Sequence, residues 1–215
     1  MPQRATEIAH LPLIPGTDLT QGSAGQIWQK AVKTIAAQPG NLSVHWGIQI
    51  EKPDVVQFVI DWSDIQDHKT FISSPTYGPF LDNLGLLLSG PPLIFHAHLP
   101  PNNTFPSGPG SAPVTECLTL YFSPSYPSPT YSAAFAKFQA AIASYPDLRG
   151  IAGGWVVEEL EKEGEKKKAF AAFLGWDSVE KHQAFRESDL FRDVIAGFRE
   201  GWESADMAHV GFVGR

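Results

Sequence analysis

Apolar and polar positions change period along this chain in an order that then repeats. Residues 7–13 form a short apolar run closed by Pro15-Gly16. From Gly25 the positions Trp28, Val32 and Ile35 share one helical face, which Pro39-Gly40 stops. Two strand-like runs, Val44 to Ile50 and Val55 to Trp62, flank Lys52-Pro53-Asp54 as a hairpin. A helix carrying His68 follows, continues amphipathically to Leu88, and gives way after Gly90-Pro91-Pro92 to a strand from Leu93 to Leu99. Each stretch has a counterpart: 116–122, the stripe Phe135, Phe138 and Ile142, the runs Gly154 to Leu160 and Ala169 to Trp176, and Met207 to Val213. Trp62, His68 and Phe71 recur 114 positions later as Trp176, His182 and Phe185. A repeat of this length suits a small domain rather than a solenoid unit. Two β-α-β-β-α-β units are predicted, at 1–100 and 114–215, joined by a linker at 101–113 whose prolines keep it from pairing into a sheet.

With 43% hydrophobic residues, the 215-residue chain can build a real core, and 18% charged residues is low enough to suggest much internally covered surface. A net charge of −7 without a basic stripe argues against nucleic acid and anionic membrane as partners. Lys166-Lys167-Lys168 reads as a solvated hairpin tip. No long apolar segment suggests a secretory signal or a membrane span, so a cytoplasmic location is expected. Cys117, the single cysteine, excludes internal disulfides and reads as a buried structural thiol.

Two such units, each with an aromatic ending its third strand and a His-containing helix followed by Ser74-Pro75 or Ser188-Asp189, resemble the dimeric α+β barrel superfamily. That superfamily includes antibiotic-biosynthesis monooxygenases, stress-responsive barrel proteins and small polyketide cyclases. The resemblance implies an α+β fold of two tandem ferredoxin-like repeats forming within one chain the barrel that two chains usually form, so that a monomer suffices. It also aligns residues 71–77 with a helix motif resembling His-x-x-Ser-Pro-His, placing Phe71 and Tyr77 where the cyclases often carry Tyr or His. The second copy has Phe185 and Phe191 there, which implies one working pocket, in the first half.

His96 and His98 lie two apart on a predicted strand and share a face, and His10 is expected to join them inside the barrel with Tyr77 above. Such a cluster supplies a general base and an oxyanion donor near neutral pH. Its expected counterparts in the second copy, Thr119, Val210, Phe212 and Phe191, do no acid–base work. Three imidazoles also suit zinc, but an i, i+2 strand pair is common by chance and no acidic partner stands out, so no metal is expected. His68 and His182 read as structural, at the edge of helix–sheet packing. Trp46, Tyr121 and Phe71 are expected to line an apolar cavity for a flat aromatic molecule. No phosphate loop or nucleophile elbow is present, and no cofactor is expected. The function expected is a cofactor-independent isomerase or cyclase acting on a polyketide- or flavonoid-like compound of secondary metabolism. The alternatives are a cofactor-free or haem-using monooxygenase and a non-catalytic ligand-binding or stress-responsive barrel.

Overall fold

The structure, a computed structural model, describes residues 3–100, 105 and 109–214. Its first unit runs β1 (Ala5–Pro12), α1 (Gly22–Ala36), β2 (Asn41–Ile48), β3 (Val55–Trp62), α2 (Ile65–Ile72), α3 (Tyr77–Gly85) and β4 (Leu93–Ala97). These strands lie in the order β2-β3-β1-β4, with β1 and β2 antiparallel to β3. The second unit repeats the plan: β5 (Val114–Phe122), α4 (Ser128–Ile142), β6 (Leu148–Trp155), β7 (Leu160–Lys162), β8 (Glu165–Trp176), α5 (Val179–Glu187), α6 (Asp189–Phe198) and β9 (Ser204–Val210). Its order is β6-β8-β5-β9. Both sheets are therefore ferredoxin-like, and both carry a register shift at the same place, between Asn41 and Ser43 and between Leu148 and Gly150.

Alternation on the first strand explains the core. Ala9, Leu11 and Leu13 pack with Trp28, Val32 and Ile35 of α1 on the helix side, as Leu118, Leu120 and Phe122 pack with Phe135, Phe138 and Ile142 of α4. The extended helix expected from His68 to Leu88 is two helices, because Pro75 lacks an N–H and disfavours α geometry at Ser74. In the second unit Ser188 sits extended between α5 and α6 and its Oγ accepts from Phe191 N at 3.1 Å. The lysine run lies on the β7–β8 hairpin, turned through Glu163 and Gly164 at positive φ. Cys117 is buried, as expected.

The unit boundaries differ from those read in the sequence. One compact unit comprises Met1–His96 with Val213–Arg215, the other Ala97–Phe212. Ala97 bridges Val156 and His98 N–H donates to Trp155 O at 3.2 Å, while β10 (Val213–Gly214) pairs antiparallel with Trp46 and His45 of β2. Pairing satisfies backbone groups on the outer strands β6 and β2 that water would otherwise have to serve. Of the expected linker, only Phe105 and 109–113 fall among the described residues. Phe105 is buried edge-on against Phe173 and Phe212, and Pro109–Ser111 forms one 3-10 turn.

Candidate active site

The repeated Trp, His and Phe sit around a buried carboxylate. Asp64 caps α2, accepting from Gln66 N at 2.9 Å, and the capping box it makes with Asp67 fixes where the helix begins after β3. One turn in, His68 faces the sheet and stacks on Trp62 at 5.2 Å with 8° between the rings. Glu7, on the helix side of β1, accepts from Trp62 Nε1 at 2.8 Å and lies 3.3 Å from His68 Nδ1. His96 on β4 completes the group, its Nε2 lying 2.8 Å from His68 Nδ1. All three are buried, so each needs the others to replace lost hydration. One proton must lie between the two imidazoles, since a nitrogen–nitrogen hydrogen bond needs one donor and one lone pair.

The second unit holds the same four residues. Trp176 stacks on His182 at 5.1 Å and donates to Glu116 Oε2 at 3.2 Å, while His182 Nδ1 lies 2.7 Å from His209 Nε2. Glu116 Oε2 is 3.3 Å from Nε2 of His182, so there the carboxylate and the second imidazole approach opposite nitrogens of one ring. In the first unit both contacts converge on Nδ1.

Beside the first group lies a largely apolar cavity of about 230 Å³, whose lining includes Glu7, His68 and Trp62 together with Phe71, Tyr77 and Leu84. Tyr77 packs edge-on against Phe71 at 5.1 Å. Burial, and to a smaller extent the charge of Glu7, push its phenol above the usual range, so it stays a hydrogen-bond donor at neutral pH. In the second unit Phe138 and Phe198 stand at the positions of Ala31 and Leu84, their ring centroids 4.3 Å apart.

Of the expected site residues, the structure brings His96, Tyr77 and Phe71 to this region and separates the others. The three-histidine cluster does not form. His96 shares its face with Ile94 of the cavity wall, whereas His10 lies on the opposite face of β1 from Glu7 and meets the edge of Phe95 at 6.0 Å. His98 lies beyond the end of β4 and groups with the second unit beside Gly154. Trp46 packs edge-on against Trp28 at 5.0 Å rather than lining the cavity. Tyr121 belongs to the second unit, where it donates to Asp206 Oδ2 at 2.9 Å; burial and that carboxylate push its hydroxyl above its ordinary range. The counterpart of His96 is His209, not Val210, because the second copy has one position fewer between His182 and His209 than the first has between His68 and His96. Sequence reasoning passed over Glu7 and Glu116, whose signal was a buried acid at the same place in both first strands.

Residues 23–82 match the family described as antibiotic biosynthesis monooxygenase. An anthrone oxidase-like protein of known structure is 15% identical, with 99% of this chain and 93% of that one covered at a TM-score of 0.71. A provisionally named monooxygenase from Lactobacillus acidophilus is 10% identical, covering 98% and 94% at 0.65. A provisionally named chlorite dismutase is 11% identical, covering 98% and 95% at 0.58. No curated protein matches the chain in sequence. The chain thus shares the fold of these proteins, as two ferredoxin-like units in tandem. Its first unit carries the antibiotic biosynthesis monooxygenase sequence pattern.

Proposed function

We propose that the first unit removes a proton from a hydrophobic, planar phenol or aryl ketone held in its cavity. The observation that carries this reading is the meeting of one buried Glu–His–His group, one phenolic donor and one apolar cavity in a single place. His68 takes the proton, Glu7 and His96 hold its ring and share the charge that results, and Tyr77 donates to the oxyanion that develops on the substrate. A cavity of this size, roughly eight waters at about 30 Å³ each, fits a molecule of two or three fused rings. The electron-rich anion then has two outcomes. Reaction with O₂ converts a CH₂ to C=O, one oxygen atom staying in the product and the other leaving as water. This outcome is favoured by the family match and by the oxidase and monooxygenase names of similar folds. Ring closure or double-bond migration, the isomerase or cyclase outcome, needs only the base and the donor and stands second. No second chain is required on this reading, since both units lie in one chain; sedimentation at low concentration should show a folded monomer.

The deciding experiment supplies hydroxylated tricyclic ketones of the anthrone class and follows O₂ uptake and product mass. Oxygenation predicts one O₂ consumed per substrate, with 14 mass units gained as two hydrogens are exchanged for one oxygen. Turnover that proceeds unchanged without O₂ would select isomerisation. Failure of every such ketone to bind or react would overturn both.

A further inference from the structure

Glu7, His68 and His96, the first two of which line the cavity, have a capacity that proton handling does not use. His68 Nδ1 lies 2.8 Å from His96 Nε2 and 3.3 Å from Glu7 Oε2. Among the described residues this is the one set of three His, Cys, Asp or Glu side chains whose donor atoms all lie within 4.8 Å of one another. Donors bound tetrahedrally to one ion at about 2.0–2.1 Å stand roughly 3.3 Å apart, so the two distances to His68 Nδ1 lie within about half an ångström of those in a coordination shell, and the third pair is inside 4.8 Å.

We propose that Glu7, His68 and His96 bind one divalent transition ion of the zinc or iron(II) class, with its open position toward the apolar cavity. Two imidazole nitrogens and one carboxylate oxygen suit such borderline ions, whereas magnesium and calcium call for all-oxygen shells. Trp62 supplies the supporting partner: its indole N–H holds Glu7 Oε2 at 2.8 Å and its ring fixes the plane of His68. Glu7 and His68 both reach the cavity, so a ligand there would meet the ion. The second unit, with the same residues, is an internal control. Glu116 and His209 address opposite nitrogens of His182, and its three donors do not converge on one point. One ion per chain is therefore expected, not two. An ion occupying the lone pairs of His68 and His96 inhibits proton abstraction there. The inference shares side chains with the proposed reaction but does not depend on it.

The test uses the full chain, stripped with a chelator and titrated without substrate. Zn²⁺ is followed by calorimetry, and Co²⁺ by the visible absorption that a low-symmetry nitrogen–oxygen site produces. One ion per chain is expected. His96→Ala and Glu7→Gln should weaken it by at least the ~10–100-fold that loss of a mere supporting partner costs, while His182→Ala and His209→Ala leave the stoichiometry at one. Glu7→Gln keeps an oxygen to accept from Trp62, so with native circular dichroism it decides the matter even if His96→Ala does not fold. No saturable binding, two ions per chain, or undiminished affinity in folded Glu7→Gln would overturn the proposal. Because no turnover is measured, none of these outcomes bears on whether His68 acts as a base.

Discussion

The two units hold the same Trp–Glu–His–His group and differ in what lies next to it. In the first, a cavity with Leu84 on its lining reaches Glu7 and His68; in the second, Phe198 stands at the position of Leu84 and packs ring on ring with Phe138. A buried polar group present in both units belongs first to the frame: it ties strand one, the end of strand three, the first helical turn and strand four together. What makes one copy a candidate for chemistry is apolar volume that reaches the buried group, with a phenol on its lining. The asymmetry expected from the sequence, titratable groups in one copy against inert residues in the other, is not found at this group, because Glu116 and His209 repeat Glu7 and His96; the two units differ instead in aromatic bulk.

The sharpest break of this comparison is a pair of single substitutions. His68→Ala should lower kcat/KM by about 10²–10⁴, the usual worth of a positioned base. His182→Ala, scored per folded molecule, should leave turnover within a factor of about two, although each removes a buried partner and costs roughly 3–5 kcal/mol of stability if the remaining carboxylate stays charged. Equal losses of turnover in the two variants would mean that the second unit is catalytic as well.

Much of the fold was legible because Trp62, His68 and Phe71 keep one offset from their copies, and because helical stripes and hairpin signals fall between them in order. The site was only half legible, and for physical reasons. The offset is 114 at Trp62 but 109 at Glu7 and 113 at His96, since loops of different length intervene, and a fixed offset therefore hid both partners of His68. At β4 the alternation holds but its sense was hidden: Ile94 and His96 share the side on which His96 meets His68 of α2. Phe95, His96 and Ala97 are all buried, so apolarity does not tell the two faces apart. The exchange of β10 into the first sheet carries no local signal, since two residues pair there through backbone alone.

Moving bulk between the units is the next test. Phe138→Ala should cost about 3–5 kcal/mol in thermal or denaturant unfolding, as truncation of a buried ring does, and open volume in the second unit. Leu84→Phe should do the reverse: unfolding changes by no more than the ~1–3 kcal/mol of overpacking, but aromatic ligands no longer bind, which fluorescence quenching of the cavity tryptophan would read. Binding that survives Leu84→Phe would place the ligand elsewhere. A smaller effect is expected from Tyr77→Phe, which installs the residue that the second unit has at Phe191. Loss of one hydrogen bond is worth about 0.5–1.5 kcal/mol, roughly two- to tenfold in kcat/KM with KM nearly constant if the phenol acts on the oxyanion. Phe191→Tyr should change nothing in turnover.

The smallest effect concerns His45 on β2, a titratable group where the second unit has Ala152. The residue is buried, with Gly214 of β10 packed so close that a Cβ there would stand 2.8 Å from the imidazole. Burial holds its pKa below the ordinary histidine value, and the nearby charge of Asp61 offsets only part of that. The sign follows from linkage: folded His45 resists a proton that the unfolded chain accepts. Its contribution to stability is therefore complete above the ordinary value of about 6.5 and is lost as the pH falls from there through the lower folded value. Acidification should then loosen β10 from β2 before it touches the second sheet. The measurement is the change in Tm between about pH 7.5 and pH 5 for the parent chain and for His45→Gln, with hydrogen exchange at Trp46 and Val213 reporting the strand pair. Every other side chain is common to the two proteins and cancels in the difference, leaving His45 alone. If His45→Gln loses as much stability on acidification as the parent, the acid sensitivity lies with the buried histidine pairs that both units share, and this difference between the sheets has no energetic weight.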